Sequence, residues 1–277
     1  MTTGKATATP WEPACTRKRA GALLAHAARC WFGVTVAGQL MFAAYIVSLY
    51  GGAAVRGDFG AWNKVMTHGH LEGASSGNIA TGIHLLGAAF IMLSGALQLL
   101  PRLRAGFPSL HRWNGRLYLG AAVGAGVTGI YMVWWRGAVG DIVQHIGTTL
   151  NGGLILVCAA MALQRIRSGK IEAHRRWALR LFLAVSGVWF FRIGLMFWLA
   201  LHGGPVGFDP RTFTGPFLSF LSFAQVAVPL AILELYLVCQ ARGAAAQLGV
   251  ACVLAAATLV TGIGSAVAAL GMWLPNM

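Results

Sequence analysis

The chain has 277 residues, 57% of them hydrophobic and only 10% charged, with a mean hydropathy of +0.67. A water-soluble domain carries about 25% charged residues, so this chain has too little polar surface to cover itself in water, and soluble globular classes are excluded. The net charge of +14 would suit a nucleic-acid partner, but the basic residues gather at the ends of apolar runs, which marks membrane topology rather than nucleic-acid binding.

Seven apolar runs follow one another, at about 31–50, 79–100, 113–135, 141–164, 177–201, 214–240 and 248–272. About 20 apolar residues in a helix cross a hydrocarbon core of ~30 Å. Helix is the expected state, because lipid satisfies no backbone group and the runs lack the alternation of a barrel strand. The fold class read from this is all-α: a polytopic membrane bundle of about seven transmembrane helices with a central four-helix bundle at 79–201. Residues 1–30 read as a cytoplasmic tail, the first 20 of them mobile, and 31–277 as a single transmembrane domain.

The connections set the orientation. Lys5, Arg17, Lys18, Arg19, Arg29, Arg102, Arg104, Arg112, Arg116, Arg165, Arg167, Lys170, Arg175, Arg176, Arg180 and Arg242 fall on one side, sixteen of the 21 basic residues. Arg56, Lys64, Arg136 and Arg211 fall on the other. The positive-inside rule predicts a multi-pass protein of the bacterial inner membrane, N-terminus cytoplasmic and C-terminus periplasmic. Pro108 suits the first turn of the third helix, and Pro229 predicts a kink in the sixth. The small residues Gly262, Gly264, Ala268 and Gly271 predict close packing of the seventh. The five cysteines have no CxxC spacing and read as neither disulfides nor a zinc site.

An internal repeat lies in the middle of the chain. Residues 102–112 read RLRAGFPSLHR and residues 165–175 read RIRSGKIEAHR; Arg, Arg, Gly, His and Arg recur at an offset of 63, and Trp113 and Trp177 follow. Both segments lie at the cytoplasmic end and lead into an outward-running helix, as in a parallel repeat. His111 and His174 therefore occupy matching positions near the cytoplasmic ends of helices three and five. His84 and His145 lie near the periplasmic ends of helices two and four, but His145 follows His84 by 61 residues, and Gly147 holds the strict equivalent position.

Two neutral imidazoles can ligate one haem iron from both faces. The expectation is one or two b-type haems, with His111 and His174 as one iron-ligand pair and His84 and His145 as the other. Arg104, Arg112, Arg116, Arg167 and Arg175, with Arg176 and Arg180 nearby, would hold propionates at the cytoplasmic side. Gly87, Gly115, Gly147, Gly152 and Gly153 would let a flat ring approach. Arg192 lies within the fifth run, where a charge is costly and reads as functional; it would hold a propionate or an anionic substrate. Gln98, Asn114, Asn151 and Gln225 read as polar members of the bundle that satisfy one another.

The residues H-L-L-G at 84–87, Q-L-L-P-R-L-R at 98–104, P-S-L-H-R-W-N-G-R-L-Y at 108–118 and E-A-H-R-R-W at 172–177 resemble domain-of-unknown-function family 2306, a family of bacterial membrane proteins. That resemblance covers His84 to Arg192 and implies no activity. The layout is also similar to the transmembrane dihaem cytochrome b proteins that pass electrons from ascorbate. By position, that likeness implies pairing His84 with His145 and His111 with His174. The function expected is electron transfer between quinol or a small reductant and an acceptor across the membrane, a transmembrane oxidoreductase of cytochrome b type. Two other readings stay open: a haem-free transporter or sensor for a small molecule or anion, and a periplasmic metal site of His68, His70 and His84. The bilayer is the expected surrounding, no nucleic acid is expected, and both a homo-oligomer and a place in a membrane complex stay open.

Overall fold

The computed structural model describes residues 14–277. Residues 1–13, with Lys5 and much of the expected tail, lie outside the described residues. Eight long helices carry the fold: α1 (Ala14–Ile46), α2 (Ser75–Leu99), α3 (Pro108–Trp135), α4 (Ile142–Arg167), α5 (Ile171–Val185), α6 (Gly187–His202), α7 (Pro216–Cys239) and α8 (Ala244–Ala268). No strand occurs among the described residues, and Asp209 and Thr214 form an isolated bridge in a loop. The 25 residues of α2 extend about 37 Å at 1.5 Å per residue, enough to cross a bilayer. Among the described residues six helical stretches have the length and apolarity of a span, or seven if the bent pair α5 and α6 counts as one. The chain is an all-α polytopic membrane bundle.

Local chemistry explains the helix ends. Pro108 and Pro216 occupy the first turns of α3 and α7, where no intrahelical N–H is needed. The Asp141 carboxylate accepts the Gln144 N–H at 2.9 Å and caps α4. Gly203, with φ +67°, ends α6 in the left-handed conformation that glycine tolerates. Arg165 and Arg167 fall in the last turn of α4, where cations complement the helix dipole.

Three features depart from the sequence reading. The first helix starts at Ala14, so Arg17, Lys18 and Arg19 sit on it rather than in a tail. Its far end continues through a π-helical turn, Val47–Gly51, into Gly52–Val55. Pro229 sits inside α7, which stays helical to Cys239. A sharp bend that the sequence does not predict comes between α5 and α6, which meet at 52° across Ser186. The Ser186 hydroxyl donates to the Phe182 carbonyl at 2.7 Å and accepts from Gln39 Nε2 at 2.9 Å, and Gly187 follows. A Ser–Gly pair with a side chain competing for the helix carbonyls is a recognised cause of a kink. Asn151 of α4 packs against Gly187, where a Cβ would collide with its amide.

α1 packs along α8, α2 along α3, α4 along α5, and α8 also along α6. Trp189 and Trp273 are fully buried at the centre. Outward-facing Leu86, Trp135, Leu259 and Leu270 stay exposed, as a lipid-facing surface requires. Two ends are distinguished by composition: a basic end, with the short connections after Leu99 and Arg167, and a long-loop end, with residues 56–74 and 203–215.

Candidate functional sites at the two ends of the bundle

At the basic end the repeat is visible as structure. His111 and His174 are each the fourth residue of their helices, and each backbone N–H donates to the residue before the helix, Phe107 at 3.0 Å and Lys170 at 2.9 Å. One turn on, Arg116 lies over the Trp113 ring at 4.9 Å and Arg180 over the Trp177 ring at 4.7 Å. The offset is 63 at the histidines and 64 at the Trp–Arg pairs, because α5 carries the additional Arg176. His174 Nδ1 lies 2.9 Å from the Ala162 carbonyl, which can only accept, so the proton is on Nδ1 and Nε2 keeps its lone pair. His111 Nδ1 is buried and has no hydrogen-bond partner.

The surrounding arginines divide. Arg180 is taken by Glu234, with Nε and Nη2 at 2.7 and 2.9 Å from its two oxygens. Arg175 and Arg176 share the exposed Glu172 at 3.7 and 3.6 Å. Arg112 donates to Ser109 at 3.2 Å. Arg104, Arg112, Arg116 and Arg167 have no carboxylate partner among the described residues. They are among the donors left for an anionic group.

At the long-loop end, a cavity of about 640 Å³ opens between the helices. It lies within the 300–1,000 Å³ typical of small-molecule sites. Its walls are mostly apolar, with Phe42, Leu85, Met92, Ile130, Trp189 and Met196 among them. Tyr45, His84, His145, Asn151, Arg192 and Gln225 supply polar atoms. α1 and α7 contribute walls as well as α2 to α6, so the site is wider than the four-helix bundle expected from the histidines.

His84 Nδ1 lies 3.1 Å from Thr128 Oγ1. The Thr128 hydroxyl spends its own proton on the Gly124 carbonyl at 2.6 Å. It must therefore accept from Nδ1–H, which leaves the Nε2 lone pair of neutral His84 available. His145 is held differently: its Nε2 donates to the Ala138 carbonyl at 3.1 Å and its ring meets Trp134 edge-on. His84 is the tenth residue of α2 and His145 the fourth of α4, so His84 sits roughly 9 Å further along its helix at 1.5 Å per residue. The two line one cavity but are not matched in depth as His111 and His174 are.

Arg192, the sixth residue of α6, has a buried Nε with no hydrogen-bond partner, and its guanidinium lies 5.4 Å from the Phe42 ring centre. The sequence places Arg192 within an apolar run but gives no indication that Phe42 of the first span faces it. Asn151 Oδ1 is also buried and unpaired. Gln98, Asn114 and Gln225 do not bond one another; they donate to the carbonyls of His111, Ser94 and Ser222. Of the glycines expected to admit a flat ring, Gly147 packs against Ser222 and Gly152 against Ile130, while Gly153 faces open space.

The third reading finds no geometry. His68 Nδ1 donates to the Arg136 carbonyl at 2.8 Å, and His70 stacks on Phe59 with centroids 5.5 Å apart. Among the described residues no group of three or more His, Cys, Asp or Glu gathers as a metal site. The five cysteines are free.

The model of the family described as "Predicted membrane protein (DUF2306)" matches residues 81–227, just over half of the chain, from within α2 into α7. No curated protein and no solved structure matches.

Proposed function

From the premise that the chain belongs to the DUF2306 family of predicted membrane proteins, we propose that it is a membrane electron carrier with a b-type haem at the basic end. Electrons would pass between quinol or a small reductant and an acceptor. The observation that carries this reading is the pair His111 and His174: two imidazoles at the fourth position of their helices, in matching copies of one motif. The donor set fits the group. The Ala162 carbonyl holds His174 in the tautomer that presents Nε2, the arrangement by which outer partners orient a metal-ligating histidine. The buried, unpaired Nδ1 of His111 is a polar atom still lacking a partner.

In this reading His111 and His174 would hold the haem iron. Arg104, Arg112, Arg116 and Arg167, with Arg175 in competition with Glu172, take the propionates. When bound, the haem supplies one-electron chemistry; the protein sets its potential by ligation, burial and charge pairing. A second haem between His84 and His145 has less support, because the Ala138 carbonyl occupies His145 Nε2. We also assign the basic end to the cytoplasmic face of an inner membrane. Reporters fused after Gly140 and after Gly169 should then be active in the periplasm and the cytoplasm respectively.

The deciding experiment is an absorption spectrum of protein purified from cells supplied with haem. A Soret band with a low-spin α-band on reduction is expected, and both are lost in His111→Ala and in His174→Ala. Well-folded native protein without haem, or an unchanged low-spin spectrum in the double variant, would overturn the assignment.

A further inference from the structure

We infer that the cavity at the long-loop end binds a lipophilic anion, whose acidic head pairs with Arg192 and whose apolar body fills the space beside Phe42, Met92, Ile130 and Trp189. The inference stands apart from the haem at the opposite end and does not need it.

The argument begins with a cation that lacks a counter-ion. A guanidinium within a membrane span is costly and is ordinarily compensated by a carboxylate, by carbonyls or by water. Arg192 Nε is buried and makes no hydrogen bond, and the Phe42 ring at 5.4 Å offsets only part of the cost. Among the described residues no Asp or Glu lines the cavity. The described acidic residues are committed elsewhere: Asp58, Asp141 and Asp209 cap the backbone N–H groups of Ala61, Gln144 and Arg211, and Glu172 and Glu234 pair with other arginines. Glu72 is exposed in the long loop. The missing negative charge therefore has to come with a ligand.

Arg136, a buried arginine in the wall, does not compete for it. Its guanidinium donates to the carbonyls of His68 and Gly69 and to Asn78 Oδ1. Two acceptors remain, the lone pair of His84 Nε2 and the unpaired Asn151 Oδ1. Both suit an O–H on the ligand, which a singly ionised phosphate ester retains and a carboxylate lacks. The body must be apolar, because the wall is mostly hydrocarbon and aromatic. The cavity reaches Met66, Thr67 and Arg211 of the loops, which gives a charged head an entrance from that side.

The test uses full-length protein, with and without haem, in nanodiscs of phosphatidylcholine. Radiolabelled laurate and dodecyl phosphate serve as the two acid heads, and dodecanol and acetate are competitors. At least one labelled anion should bind saturably, dodecanol should compete at no less than tenfold higher concentration, and acetate should not compete. Arg192→Gln should weaken binding at least tenfold, and Arg192→Lys less. Ala88→Phe, which fills the cavity from α2, should abolish it independently of any effect of Arg192 on folding. The inference is overturned if neither anion binds native protein saturably, if dodecanol competes as well as the acid, or if Arg192→Gln and Ala88→Phe both bind like native protein. Loss of haem without loss of anion binding would count against the cytochrome reading alone.

Discussion

His68 and Arg136 hold each other reciprocally: Arg136 Nη2 donates to the His68 carbonyl at 2.6 Å, and His68 Nδ1 donates to the Arg136 carbonyl at 2.8 Å. The first belongs to the long loop before α2 and the second ends α3. His68 takes a positive φ of 56° to meet this geometry. The clasp forms part of the cavity wall and ties the loop over its mouth.

Arg136→Met should therefore unpin the loop. Buried carbonyls of His68 and Gly69 would lose a charged donor, at a cost of about 2 kcal/mol. Cleavage of the 56–74 loop by added protease should accelerate, and the thermal midpoint should fall. Unchanged cleavage would show that the loop is held by Asn63 and Asn78, whose side chains also bond its backbone.

The glycines of α8 are not equivalent. A Cβ on Gly264 would run into the Ile193 carbonyl of α6, with the carbonyl carbon at 2.9 Å; one on Gly262 would meet only Val34 Cγ1 at an ordinary 3.7 Å. Gly264→Ala forces two backbones apart, and overpacking of this kind costs about 1–3 kcal/mol. Gly262→Ala should be neutral or slightly stabilising, since alanine favours helix. Thermal midpoints of the two variants in detergent should separate clearly; equal values would contradict the close approach of α6 and α8.

The spans were legible because hydropathy and run length act over 20 residues and need no tertiary information. The matching depth of His111 and His174 was legible because a repeated sequence repeats its caps. The bend at Ser186 was not, since Ser186 and Gly187 interrupt an apolar run without shortening it, and the kink depends on Gln39 and Asn151 arriving from other helices. For the same reason the tautomers of His84 and His145 were not legible: position along the chain gives the end of the bundle, but the groups that hold the two rings, Thr128 and the Ala138 carbonyl, are seen only in the structure. The absence of a carboxylate near Arg192 likewise required knowing that Glu234 reaches Arg180.

Asp141 ties the start of α4 to α7, accepting from the Gln144 N–H at 2.9 Å and from the Ser219 hydroxyl at 3.2 Å. The Gln144 N–H, more than any other group, holds its carboxyl below the ordinary aspartate value of 3.8. Because the folded value is the lower one, the stabilisation is complete above the unfolded value and disappears as pH falls through the folded value. Asp141→Ala should cost about 1 kcal/mol, as for other N-caps. That difference should be the same at pH 7 and pH 5 and shrink below pH 3.8. A deficit that already vanishes at pH 5 would mean that the carboxylate is not the group responsible.

Arg180 and Glu234 form the one two-pronged ion pair among the described residues, and it joins α5 to α7 at the basic end. The Glu234 side chain is 47% exposed and that of Arg180 22%, so solvent screens much of the Coulomb energy and the pair itself contributes about 1 kcal/mol at most. Its larger effect is on neighbouring chemistry. While Glu234 holds Arg180, that guanidinium is withheld from any anion near His174, and the free donors are those of Arg104, Arg112, Arg116 and Arg167. Glu234→Gln should lower the thermal midpoint by only a few degrees, yet release a cation beside the proposed haem. A cation there favours the reduced form, so the midpoint potential of the haem should rise in Glu234→Gln. In the Arg180→Gln, Glu234→Gln double variant the potential should return toward the native value, because the released charge is gone. A rise that persists in the double variant would mean that Glu234 acts on the haem directly, and no rise in either would place Arg180 too far from it to matter.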